Sequence, residues 1–393
     1  MDAVALARLW SLDPSVAFLN HGSYGACPLP VLEAQQRLRH QIEREPVLFL
    51  GRELEARLDE ARAALGAFVG ARPDDLAFVA NATAGTNTVL RSLVLAPDDE
   101  ILVTDHAYNA CRTAVEYAAE RARGRVVVAR VPFPLQDAGE VVSAVLAAVT
   151  ARTRLAVLDH VTSPTGLIFP IERLVAALAE RGIDTLVDGA HAPGMIDVDL
   201  ERLGASYYTG NGHKWLCAPK GCGFLHVRRD RQPAIRPLAI SHGANSPRTD
   251  RSRFRLEFDW AGTHDPTPYL CVPDAIRCLG SLLPGGWPAV RAANRRLALE
   301  ARRTLCAALG AAAPAPESMV GALATVPLPD GEGGPGGRSN APLQRTLFDR
   351  HRIEVPVFTW PAAPKRLIRV SAQLYNRIDQ YEALAQALKD ALA

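Results

Sequence analysis

Along the first two thirds of the chain, short apolar runs alternate with stretches whose apolar residues recur every three or four positions. The short runs predict strands at 76–80, 100–104, 125–131, 154–159, 184–187, 205–209 and 223–227, because they have strand length and are bounded by turn residues. The periodic stretches predict helices from the end of the first strand to about residue 95, and over 109–123, 140–150 and 171–181. In the last of these Ile171, Leu174, Val175 and Leu178 share one face, the spacing of a helix packed on a core. Such alternation implies βαβ units and an α/β fold with a seven-stranded, mostly parallel sheet.

After about residue 270 the rhythm changes. Long Ala- and Arg-rich helices near 287–310 and 379–392 flank shorter strands near 320–327 and 366–371. The pattern predicts a smaller α+β domain over 269–393 beside a large domain over 21–268, with residues 1–20 packing on the small one. A length of 393 residues supports the division, since single cores stop growing well below it. The run from Pro329 to Asn340 is too rich in Gly and Pro for a regular element and reads as a loop.

Charge then narrows the partners. With 44 Lys and Arg against 42 Asp and Glu, the formal net charge of +2 provides no long-range field for nucleic acid or an acidic membrane. No apolar run reaches the roughly 18 residues of a membrane span. The opening MDAVALARLWSLDPSVAF lacks the order of an export signal, so a cytoplasmic protein acting on a small molecule is expected. The seven cysteines are scattered and form no Cys-x-x-Cys pair, which argues against a disulfide framework and against a zinc site.

In open α/β sheets ligands bind beyond the carboxyl ends of the strands, so polar residues there are the candidates. Thr83 follows the first strand and opens a helix, where unpaired amides and the helix dipole favour a phosphate, although Thr and Asn also cap helices without a ligand. Asp188 closes a strand and precedes GlyAlaHis, placing a carboxylate and His191 three residues apart. An acid there either pairs with a protonated ring nitrogen or caps the next helix. ThrGlyAsnGlyHisLysTrp, residues 209–215, breaks a strand with two glycines and presents His213 and Lys214 together. A lysine desolvated beside a cation becomes a neutral amine able to bond a carbonyl carbon. The apolar sequel from Trp215 to Leu225 argues against a solvated surface pair.

These motifs resemble the class V, cysteine desulfurase-like enzymes that use pyridoxal 5'-phosphate (PLP), and among them the isopenicillin N epimerase-like branch. The resemblance runs from PheLeuAsnHisGlySerTyrGly at 18–25 to IleArgValSerAlaGlnLeuTyrAsn at 368–376, with five motifs in order. It implies the fold type I architecture of PLP-dependent transferases, a large PLP domain with a smaller C-terminal one. By position it makes Lys214 the lysine bonded to the cofactor, Asp188 the acid on the pyridine nitrogen and His191 the neighbour of the phenolic oxygen. Thr83, with the amides of Ala82 and Ala84, matches the phosphate cradle, and His213 a further phosphate ligand. His106 falls where the family stacks a ring on the cofactor, and Tyr108 could take that role instead. Gly262 and Thr263 match a phosphate contact supplied by the partner subunit, which implies a homodimer. Arg369 matches the arginine that holds the substrate α-carboxylate, a natural task for a planar fork. Two positions depart from the desulfurase pattern: Ser163 stands for an Asn near the cofactor oxygen, and Asn211 for a phosphate-binding Ser.

The reaction is less specified, because fold does not dictate chemistry. Desulfurases carry a nucleophilic cysteine on a mobile C-terminal loop, and this chain has no cysteine beyond Cys306, so persulfide chemistry is not expected. The remaining family reactions mostly begin with removal of the Cα proton, for which Lys214 is the natural base. The expectation is β-elimination of C–S lyase type from a cysteine S-conjugate or related secondary-metabolite precursor, since it needs one base and a leaving group. Epimerisation needs a second acid, for which His21 and Tyr24 are candidates; aminotransferase and decarboxylation-coupled deaminase chemistry stay open. Arg52 and Glu53, with Trp260 and His264, are candidates for the side-chain pocket. A non-catalytic PLP-fold binding protein would be expected to have lost Lys214, Asp188 or Arg369, and all three are present.

Overall fold

A computed structural model describes residues 3–331 and 341–392 of the chain. The main sheet contains β1 (Leu76–Val79), β2 (Glu100–Thr104), β3 (Arg125–Ala129), β4 (Thr153–Asp159), β5 (Asp184–Gly189), β6 (Tyr207–Asn211) and β7 (Gly223–Val227). Its order is β1-β7-β6-β5-β4-β2-β3, and β7 runs against both of its neighbours. Every residue of β2, β6 and β7 is buried, as continuous apolar strands covered on both faces should be. The covering helices include α1 (Ala82–Ser92), α2 (Asn109–Ala122) and α3 (Ile171–Ala179). The four apolar residues that define the face of α3 are all buried.

Each of the seven strands expected from the apolar runs is present. The sixth slides two residues along and takes in Gly210, which had been read as part of a strand break. A Cβ at Gly210 would lie 2.6 Å from the Phe224 ring, so this glycine lets the ring pack across the strand instead of ending it. The registers Asp159 to Asp188 and Asp188 to Thr209 bring the carboxyl ends of β4, β5 and β6 to one level. The candidate site lies there.

A second, three-stranded antiparallel sheet joins β8 (Leu323–Leu328), β9 (Val357–Thr359) and β10 (Arg366–Ser371) in the order β9-β10-β8. The helices α4 (Gly286–Leu309) and α5 (Ile378–Leu392) bury Leu299, Leu305, Leu384 and Leu388 against Val326, Ile368 and Val370 of this sheet. The N-terminal segment is tied to the same region. Ala17–Phe18 pairs in parallel with Ile353–Glu354, and the Trp10 ring meets Tyr375 edge-on at 5.1 Å. Cys271, Val272 and Ala275 pack in the main-sheet core, which therefore extends past residue 268. The Gly-rich run lies, from residue 332 to 340, outside the described residues. Among the described residues no helix is long and apolar enough to cross a membrane.

Candidate active site

Lys214 sits in the turn after β6, where the Cys217 amide donates to its carbonyl at 3.1 Å. Cys217 itself holds a left-handed φ of 60°, unusual for a residue with a side chain. The N-terminal motif presses on this turn from outside. Gly25 has φ 70°, and a Cβ there would lie 2.0 Å from the His213 carbonyl oxygen, so only glycine fits. His21, fully buried, donates from Nε2 to the Lys214 carbonyl at 3.1 Å, and its Nδ1 accepts from the Tyr375 hydroxyl at 2.9 Å. Burial holds His21 neutral, with a pKa of about 3. His21 thus supports the lysine backbone with both ring nitrogens engaged inside the protein, where the sequence had offered it as a second acid.

The Lys214 amine lies 3.0 Å from Nε2 of His191. The Trp215 indole donates to Nδ1 of His191 at 3.3 Å, so the single proton of the neutral imidazole sits on Nε2. His191 is neutral because burial, followed by the positive charges of Lys214 and Arg369, drives its pKa well down. Lys214 is itself lowered to about 8, first by burial and then by Arg369. A value near 8, against the usual value for a lysine, brings the neutral amine within reach near neutral pH, the state a nucleophilic or basic lysine needs.

Asp188 is buried at the end of β5, where its Oδ1 accepts from the Ala190 amide at 2.9 Å and its Oδ2 from the Cys111 thiol at 3.0 Å. Cys111 lies in the first turn of α2, three residues after Tyr108, a spacing that places both on the same side of the helix start. The sequence reading passed over Cys111, whose only signal was that spacing. Asp159, also passed over, stands in register beside Asp188.

The helix α1 opens with Asn81, whose side chain accepts from the Ala84 amide at 2.9 Å. The Ala82 amide donates to Asn211 Oδ1 at 2.8 Å. Two of the amides expected to cradle a phosphate are therefore held by carboxamides, and the Thr83 amide and hydroxyl are the groups left at this helix start. A Cβ at Gly85 would lie 2.1 Å from Thr209 Oγ1, so glycine lets α1 seat directly on the end of β6. His213 donates from Nδ1 to the Cys222 carbonyl at 2.7 Å and keeps Nε2 available; burial lowers its pKa to about 4.

Arg369, on β10, crosses from the small sheet to the main one. Its Nη1 donates to the Ser163 hydroxyl at 3.0 Å and to the Ser163 carbonyl, and its Nη2 reaches Ser23 Oγ at 3.4 Å. The Phe358 ring lies 5.1 Å from the guanidinium carbon. Only 2% of Arg369 is exposed, its Nε has no partner, and no carboxylate pairs with it among the described residues. Ser163 thus contacts Arg369, where the sequence reading had expected a cofactor ligand.

His106 and Tyr108 separate clearly. His106 is fully buried among Phe133, Phe169 and Trp360; it donates from Nε2 to the Val131 carbonyl at 3.2 Å and accepts at Nδ1 from Thr165 at 2.7 Å. Its two nitrogens are used within the core, so it is not brought to the candidate site. Tyr108 caps α2 and is partly exposed, and Tyr24, Asp188 and Arg369 act on its phenol, whose pKa burial raises. Tyr24 is 70% exposed. Arg52 is exposed in a π-helical turn, Phe49–Glu53, and Glu53 pairs with Arg57. Trp260 joins the same satellite cluster as Phe49, and Thr263 and His264 are exposed. None of Arg52, Glu53, Trp260 and His264 contacts Lys214 or Arg369 through a hydrogen bond or ring contact among the described residues.

A buried amine, a buried carboxylate, a neutral imidazole and an unpaired guanidinium at strand ends fit PLP and its amino-acid substrates. Fold and residues together define a PLP-dependent enzyme of fold type I. The sequence pattern of the aminotransferase class-V family matches residues 27–267, and the chain belongs to that family, whose members use PLP. It is 41% identical to the isopenicillin N epimerase of Amycolatopsis lactamdurans, over 97% of this chain and 96% of that protein. It is 28% identical to a probable chloroplastic L-cysteine desulfhydrase of Arabidopsis thaliana, over 96% of this chain and 83% of that protein. The solved structure of the cystine C–S lyase C-DES with its product cysteine persulfide has the same fold, with a TM-score of 0.80 at 21% identity, covering 96% of this chain and 98% of that one.

Proposed function

We propose that this enzyme removes the Cα proton of an amino-acid substrate with Lys214 as the base and delivers a second proton to the other face, as an epimerase. The observation that carries the amino-acid reading is Arg369. A buried guanidinium without an acid is costly unless an anion completes it, and a substrate α-carboxylate would accept from the fork that Ser163 and Ser23 hold in place. Bound PLP supplies the electron sink for the charge left at Cα. Asp188 would pair with its ring nitrogen, His191 would donate to its phenolic oxygen, and Thr83 with His213 would hold its phosphate.

Delivery of a proton to the opposite face needs a second acid. Tyr108 enters from the β2–α2 connection and Lys214 from the turn after β6, so they approach the end of β5 from opposite sides of the sheet order. A phenol whose pKa is raised stays protonated and can serve as that acid. The higher identity to an isopenicillin N epimerase supports the same reading. Elimination, expected from the sequence, keeps the support of the desulfhydrase relative. We further propose that a second copy of the chain brings Thr263 to this site; its exposure in a single chain accords with that role.

The experiment is to incubate the holoenzyme with L-amino acids and cysteine S-conjugates in deuterium oxide. Chiral analysis would follow inversion, and ammonia and keto-acid assays would follow elimination. Deuterium at Cα with inversion and without ammonia supports epimerisation. Stoichiometric ammonia and keto acid would replace it with elimination.

A further inference from the structure

At the carboxyl ends of β4 and β5, Asp159 stands in register with Asp188, and in-register residues of neighbouring parallel strands leave the same face of the sheet. Both are buried, 5% and 4% exposed. Two buried carboxylates so placed repel when both are charged, which favours a proton on one of them. Their partners decide which. Asp188 accepts from the Ala190 amide and the Cys111 thiol, bonds that favour the charged form. Asp159 has no side-chain donor among the described hydrogen bonds and is reached by the Tyr108 amide alone, besides its own.

We propose that Asp159 is a positioning residue for the pyridine ring: it stands beside Asp188 as a neutral carboxylic acid and, with the Cys111 thiol, makes Asp188 the one charged acid at that end of the pocket. The inference rests on the reading of Asp188 as the partner of the ring nitrogen. The groups facing Asp159 are Asp188 from β5, Cys111 and the Tyr108 amide from the start of α2, and Lys214 from the turn after β6. Burial, then the Asp188 charge, raises Asp159 well above the usual carboxyl range, and Lys214 opposes this only weakly. Burial and Asp188 likewise raise the Cys111 thiol, which keeps it a donor. The ring nitrogen therefore meets one negative charge, held in place by two donors, rather than two repelling charges.

The test uses the full chain freed of PLP at neutral pH. Infrared difference spectra between the wild type and Asp159→Asn should show the carbonyl stretch of a protonated carboxylic acid that the variant lacks. On PLP titration, Asp159→Asn, which keeps a neutral group of the same shape, should bind within about threefold of the wild type, whereas Asp188→Asn should lose about tenfold or more. Absence of the protonated-acid band would overturn the proposal, as would a loss in Asp159→Asn equal to that in Asp188→Asn, since both acids would then be charged counter-ions. An Asp188→Asn protein with unchanged PLP affinity would overturn the assignment of Asp188 itself, and the infrared band separates that failure from the other.

Discussion

Trp215 donates its indole N–H to Nδ1 of His191, and this bond decides that the nitrogen facing Lys214 carries the proton. With Nδ1 occupied, the proton sits on Nε2 and points at the amine. We expect Trp215→Phe, which keeps an aromatic ring in this buried position but removes the N–H donor, to free the other tautomer. The turnover number should fall about tenfold with little change in KM, because a misoriented proton affects the reacting groups and not substrate binding. Steady-state kinetics on the variant check this, and the visible band of bound PLP should shift with it.

Lys214 titrates near pH 8. Only the neutral amine can bond the PLP aldehyde, so capture of PLP by the cofactor-free protein should quicken as pH rises and level off above about 8. Burial is the first cause of the lowered value and Arg369 the second, so Arg369→Gln should move the midpoint upward. Stopped-flow absorbance across pH gives both midpoints.

Arg369 is buried and lacks an acid among the described residues. Replacing it with methionine removes a charge that the substrate-free protein must desolvate, so stability should hold or rise. Substrate affinity should fall about tenfold to a hundredfold, the worth of hydrogen bonds to a charged carboxylate. Thermal unfolding and spectral titration with the substrate test the two halves separately.

Near the segment that carries Thr263, Asp259 accepts from Arg62 and, at 3.1 Å, from Arg255, with side chains 6%, 1% and 7% exposed. Without Asp259, Arg62 keeps Asp59 and Arg255 keeps Asp59 and Asp74, so Asp259→Ala should lower stability by about 1.5–3 kcal/mol, the worth of hydrogen bonds to a charged group. Adding Arg62→Met should recover part of the loss. Urea unfolding of the single and double variants measures both.

Much of this site was legible because its motifs lie at strand ends, where apolar periodicity stops and polar residues stand out. Lys214, Asp188 and His191 stood out in that way, whereas Arg369 lies within a strand and was marked only by the family resemblance. His106 and Tyr108 could not be told apart, since both are polar rings in one loop; packing against Phe169 and Trp360, distant in sequence, draws His106 inward. His21 was misplaced for the same reason: its partner Tyr375 lies 354 residues away. Asp159 was hidden because only strand register sets it beside Asp188. Gly210 read as a break, although the Phe224 ring from the neighbouring strand is what requires it.

The proposed reaction turns on Lys214 as the group that takes the Cα proton. The direct measurement is exchange of the α-hydrogen of a substrate amino acid into deuterium oxide, followed by NMR, for the wild-type holoenzyme and for Lys214→Ala supplied with PLP. Exchange by the wild type and its loss in Lys214→Ala, with partial return on adding a small primary amine, is the result expected. Exchange that continues unchanged in Lys214→Ala would contradict it.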